Sequence, residues 1–143
     1  MSTSSPARLY CTAVGATLVI AGMVGFFYSS GFETGAAGVA KDSDEMFGIL
    51  AVNGWLNLLH ILLGVLALAA AGSPDGARLY CLGVGLLYLL LGVWGLIDSD
   101  GVILGLLPLN DGDTVLYLLL GLTGLAAGSA TPKTAAPTPT RSA

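Results

Sequence analysis

Four apolar stretches, at about residues 9–27, 50–71, 79–97 and 115–127, are separated by connections rich in Gly, Asp and Ser. The first three each have the roughly 17–25 residues that carry an α-helix across the hydrocarbon core of a bilayer. The fourth is shorter. Extended over 114–130 it spans with some mismatch or local thinning. In lipid only helices and closed barrels satisfy every backbone group. No stretch here alternates apolar and polar residues with period two, which removes the barrel. The pattern predicts four transmembrane helices.

The pattern also occurs twice. Segments 8–26 and 78–96 share eight of nineteen residues without a gap: Arg8-Leu9-Tyr10-Cys11 with Arg78-Leu79-Tyr80-Cys81, then Val14/Val84, Gly15/Gly85, Gly22/Gly92 and Gly25/Gly95. Gly48–Asn53 (GILAVN) returns as Gly105–Asn110 (GLLPLN), Gly64 as Gly121, and Asp42-Ser43-Asp44 as Asp98-Ser99-Asp100. Tandem copies of one helical hairpin are the simplest source of such a period. The expected fold is therefore an all-α, integral membrane four-helix bundle made of two tandem parallel helical-hairpin repeats. A short N-terminus, 1–7, precedes the first repeat, 8–73, with an external loop at about 28–46. The second repeat, 74–130, has its loop at about 98–113, and a disordered tail follows over 131–143. Loop one is longer by about thirteen residues, an excursion near 28–41. Because the first apolar stretch is a copy of an internal one, it is read as a retained span and not as a cleaved leader.

Composition agrees with this reading. Hydrophobic residues make up 55% of the 143 and charged residues 10%, where a soluble domain carries roughly 25% charged. The charges are sorted by side. Arg8, Arg78, Lys133 and Arg141 flank the N-terminus, the middle connection and the tail, whereas the two other loops share Lys41 alone and eight acids. By the positive-inside rule both termini are cytoplasmic and both acidic loops external. The acids read first as soluble loops and helix starts, with DSD and NDGD each expected before a helix. The sharper alternative is a cation-attracting vestibule, although neither motif has the spacing of a calcium-binding EF-hand loop. No basic block or phosphate loop points to nucleic acid.

At about 100° per residue, Gly15, Gly22 and Gly25 share one face of the first helix with Arg8 and Cys11. Gly85, Gly92 and Gly95 share the matching face of the third. Gly64 and Gly121 sit on the second and fourth. Small residues let helix backbones meet where lipid supplies no contrast, so these faces are expected to pack. Trp55 and Trp94 at one end, and Tyr10 and Tyr80 at the other, read as aromatic belts. Cys11 and Cys81 occupy equivalent places and read first as small packing residues.

One polar constellation remains. Asn53, Asn57, His60 and Gly64 fall within about 60° of one another on a helix. Asn110, Thr114, Tyr117 and Gly121 are their counterparts. Polar side chains in a span face protein or water, and an ionisable one marks a functional hypothesis. Interhelical hydrogen bonding is the plainer explanation. Bis-histidine haem ligation needs a second His and zinc needs three or four ligands at that depth. Neither set is present, no nucleophile sits beside His60, and no cofactor is implied. A lone imidazole could still relay protons or orient a quinone.

The motifs R-x-Y-x(4)-G in the first helix, V-N-x-x-x-N-x-x-H-x-x-x-G (Val52, Asn53, Asn57, His60, Gly64) and P-L-N-x-x-D (Pro108, Leu109, Asn110, Asp113) resemble the domain-of-unknown-function 4383 family. This is a bacterial, mainly actinobacterial, group of four-helix membrane proteins. The resemblance covers roughly residues 8–128 and implies a fold and a location in a bacterial plasma membrane without an activity. The family often carries a second histidine where this chain has Tyr117. The leading reading is a non-catalytic structural, assembly or envelope-associated bundle. Its partners would be the lipid bilayer and further copies or a larger membrane assembly. The alternatives are a small transporter or ligand-binding subunit built on Asn53, Asn57, His60, Thr114 and Tyr117, and a quinone- or haem-linked redox subunit.

Overall fold

Serine and asparagine side chains set where the helices begin. Ser5 and Ser73 each precede a proline and accept the backbone N–H of Arg8 and Gly76, starting α1 (Pro6–Gly25) and α4 (Pro74–Ile97) in the same way. Asn53 and Asn110 cap α3 (Gly54–Ala70) and α5 (Asp111–Ser129), accepting the N–H of Leu56 and Asp113. Asp113 returns a bond from the N–H of Asn110, completing a capping box. These contacts belong to a computed structural model that describes residues 4–98 and 100–134. The outer parts of the expected N-terminus and tail, including Arg141, and Ser99 of the second DSD lie outside the described residues.

The protein is mostly helical, and three helices, α1, α4 and α5, are long and apolar enough to cross a membrane. The short apolar helix is α3, of 17 residues, and not the fourth stretch as the hydropathy suggested. Two local causes reverse the expectation. The capping box draws Asp111, Gly112 and Asp113 into the first turn of α5. Residues 50–53, expected to be helical, instead form a strand and a cap.

That strand is part of a second departure, from all-α to mostly helical with two small sheets. β1 (Asp44–Met46) pairs antiparallel with β2 (Leu50–Val52), and β3 (Val102–Ile103) with β4 (Leu107–Pro108). Strands of two or three residues are too short to show a period, so hydropathy could not reveal them. Each hairpin turns through a bulky residue at positive φ, Phe47 at 56° and Leu104 at 52°, followed by Gly48 and Gly105 at 68°. A left-handed conformation costs a side chain of this kind roughly 1–2 kcal/mol. Both side chains are exposed, at 70% and 77%. The long first loop also holds α2 (Ala36–Asp42), with Val39 fully buried and the N–H of Gly35 donating to the carbonyl of Gly105. The DSD motifs end helices instead of starting them: Asp42 is the last residue of α2 and Asp98 caps the C-terminus of α4.

α1 packs against α3, and α4 against α5. The glycines make these contacts close. A β-carbon added at Gly15 would lie 2.9 Å from the Ala67 Cβ, and one at Gly85 2.9 Å from the Leu125 nitrogen. Gly22, Gly64, Gly92 and Gly121 likewise abut the facing helix, while Gly25 meets Asn57 and Gly95 meets Thr114. The interior has two parts. Leu18, Leu63, Tyr88, Ile103, Leu109 and Tyr117 form one cluster. Ala7, Cys11, Ala67, Ala77 and Cys81 form a small-residue cluster near the N-termini of α1 and α4. Leu58, Leu62, Leu86, Leu90 and Leu119 are among the many leucines left exposed, an apolar exterior of the kind that marks contact with lipid or protein.

Candidate functional site

Asn57, His60 and Gly64 of the expected stripe lie within α3 and are buried. Asn53 precedes α3, so helical spacing does not apply to it. It is fully buried, its Oδ1 accepts the Leu56 N–H at 2.8 Å, and its Nδ2 donates to the Leu106 carbonyl at 2.7 Å. It thus ties the start of α3 to the turn of the second hairpin. Asn57, also fully buried, donates through Nδ2 to the Ser29 carbonyl at 2.8 Å, with its Oδ1 against Gly25. Thr114 holds the corresponding place on α5: it packs on Gly95 and donates to the Asn110 carbonyl at 3.0 Å. Tyr117 is buried, its ring 5.4 Å from that of Tyr88 and tilted by 39°. His60 is buried at 9% exposure, and its Nδ1 has no hydrogen-bond partner.

Several residues with larger structural roles escaped the sequence. Asp113, expected as an exposed loop acid, is 2% exposed. One oxygen accepts both the Asn110 N–H at 3.1 Å and the Ala51 N–H at 3.0 Å, joining the start of α5 to β2. The capping spacing from Asn110 to Asp113 was legible, but the bond to Ala51 crosses between the two halves and has no local signal. Tyr10 and Tyr80, expected in an aromatic belt, are half-buried and donate to the carbonyls of Leu120 and Leu63. Each tyrosine therefore reaches a helix outside its own helix pair. A hydroxyl inside apolar surroundings needs an acceptor, and a carbonyl that also serves its own helix can supply one. Arg8 Nε donates to the Ala71 carbonyl at the end of α3. Thr131 accepts the Ala7 N–H at 3.0 Å, tying the end of α5 to the start of α1.

Among the described residues the Tyr88 hydroxyl, Asn57 Oδ1 and Asp98 Oδ2 are further buried polar atoms without a partner. Among the described residues no three His, Cys, Asp or Glu side chains converge as metal ligands would. The polar cleft lies elsewhere, between the hairpins. It has a volume of about 300 Å³, and its lining includes Ser43, Asp44, Glu45, Asp100 and Asn110.

A sequence profile described as a domain of unknown function, DUF4383, matches residues 8–130. The chain belongs to the DUF4383 family. The matched region contains all five residues of the expected stripe, both glycine-lined faces, both hairpins and Asp113. No curated protein and no solved structure matches the chain. Membership in DUF4383 therefore carries no reaction with it.

Proposed function

We propose that this DUF4383 chain is a non-catalytic, multi-pass membrane protein whose helical bundle has a structural or assembly role in the bacterial envelope. In this reading four helices span the bilayer as two tandem parallel hairpins, 8–73 and 74–130. Both termini are cytoplasmic and the loops near 28–46 and 98–113 are external. Its partners are the lipid bilayer and other membrane subunits or further copies of the chain. One observation carries the proposal: interior polar side chains, three of the five expected to form a site among them, are engaged in holding backbone. Asn53, Asn57, Asp113, Thr114, Tyr10 and Tyr80 all bond to main-chain groups. Groups so engaged rigidify a bundle and leave little free to recognise a substrate.

Cross-linking in native membranes followed by solubilisation in mild detergent tests this role. The expected outcome is migration as an assembly larger than one chain. Migration as a single chain, together with solute uptake into vesicles holding the purified protein, would replace the assembly role with transport.

A second reading rests on the unpartnered His60 Nδ1 and Tyr88 hydroxyl. Buried polar atoms without partners are uncommon and ask for an explanation. They support an interior ligand-binding or proton-relay role for His60. In that case His60→Leu abolishes function while the protein still assembles and melts normally. Under the assembly reading the same variant keeps function.

A further inference from the structure

Cys11 and Cys81 face each other across the contact between α1 and α4, their sulfurs 3.7 Å apart, and both residues are fully buried. Each sulfur also approaches a backbone carbonyl of the opposite helix: Cys11 Sγ lies 3.7 Å from the Ala77 oxygen, and Cys81 Sγ 3.6 Å from the Ala7 oxygen. Ala7, Ala67 and Ala77 complete the cluster, so no large side chain stands between the thiols. We propose that the two cysteines form a redox-active dithiol, whose oxidation to a disulfide staples the first helix pair to the second. This does not depend on the assembly role proposed above.

Two features make a disulfide the fitting product. A disulfide holds its sulfurs about 2.05 Å apart, so each sulfur has to travel only about 0.8 Å. Dithiol and disulfide are both neutral, so the apolar cluster accommodates either. Two thiolates around a monovalent metal ion would bring a net charge into this apolar cluster. The burial selects the oxidant class: an organic hydroperoxide, apolar enough to enter from lipid. One thiol sulfur attacks the terminal peroxide oxygen. The O–O bond breaks, the organic fragment takes the thiol proton and leaves as an alcohol, and the attacking cysteine becomes a sulfenic acid. The second thiol then attacks that sulfur and displaces water, forming the S–S bond. Overall two thiols and one hydroperoxide give one disulfide, one alcohol and one water. The second step is fast because its partner is already in contact.

The test uses the full chain reconstituted in phosphatidylcholine vesicles and treated with cumene hydroperoxide. It is then denatured, capped with N-ethylmaleimide and weighed intact. The expected product has lost two hydrogen atoms and carries no maleimide, and prior reduction with dithiothreitol restores two maleimides. Cys11→Ala and Cys81→Ala should each stop at a single added oxygen, trapped by dimedone. Should either variant fail to insert, wild-type chain unfolded in dodecyl sulfate serves instead, and should cross-link at least about tenfold more slowly than the folded chain. Two maleimides after oxidation, two or three oxygens on one cysteine, a disulfide between separate chains, or equal rates folded and unfolded would each overturn the proposal.

Discussion

Asp113 illustrates how much one side chain holds. A single carboxylate oxygen completes the cap of α5 and also satisfies a buried N–H of β2. Asp113→Ala removes both, leaving the Ala51 donor buried without a partner. The expected loss is about 2–3 kcal/mol, measured by unfolding in mixed micelles. Asp113→Asn keeps an acceptor oxygen in place and should lose less. His60 predicts the opposite sign. With Nδ1 unpartnered, His60→Leu exchanges a stranded polar atom for an apolar one, and stability should stay level or rise by about 1 kcal/mol. A fall of several kcal/mol in the same assay would mean that the ring holds a group tightly in the native protein. The sequence identified His60, Asn57 and Thr114 as interior polar residues because each lies within an apolar helix. It misplaced Asp113 because an acid in a polar loop looks solvated until the distant strand that uses it is known.

Elements meet through glycine, and the contacts divide the glycines into two kinds. Gly22 lies against the Asn57 carbonyl and Ile61, so a side chain there must push α1 off α3. Gly83, three residues beyond Tyr80 in α4, has nothing near the place of its β-carbon. Gly22→Leu should destabilise by about 1–3 kcal/mol, as overpacking does. Gly83→Leu should be neutral or slightly stabilising, because glycine inside a helix costs about 1 kcal/mol relative to alanine. Equal effects of the two substitutions on thermal unfolding would argue against glycine-mediated packing. The duplicated glycine pattern made the packing faces legible, since helical spacing alone puts those residues together. The hairpins were not legible. In GILAVN and GLLPLN the apolar run is continuous, and only the pairing partner and the left-handed turns at Phe47 and Leu104 make strands of it.

For the whole molecule the strongest prediction is orientation. Phe47→Cys and Leu104→Cys place thiols at exposed hairpin tips, while Cys11 and Cys81 are buried. An impermeant maleimide should label both variants in intact cells and should reach a cysteine at Ser142 only after lysis. Labelling of the tail with protection of both tips would invert the membrane topology. Crystallography of the protein in lipid should also relate residues 8–73 to 78–130 by rotation about an axis along the membrane normal. An axis in the membrane plane would overturn the parallel-hairpin arrangement. Several structural features follow from residues read in order: the predominance of helix, the apolar exterior, the glycine faces and the shared starts of α1 and α4. Each depends on local hydropathy, side-chain size or a cap a few residues away, and lipid enforces helix wherever an apolar stretch is long enough. Contacts between distant segments decided the rest. Tyr10 reaching Leu120, Tyr80 reaching Leu63, Asp113 reaching Ala51 and Cys11 touching Cys81 join positions 17 to 110 residues apart. A hydrogen bond needs its two partners within about 3 Å, and only packing of the helix pairs against each other brings such separated groups that close.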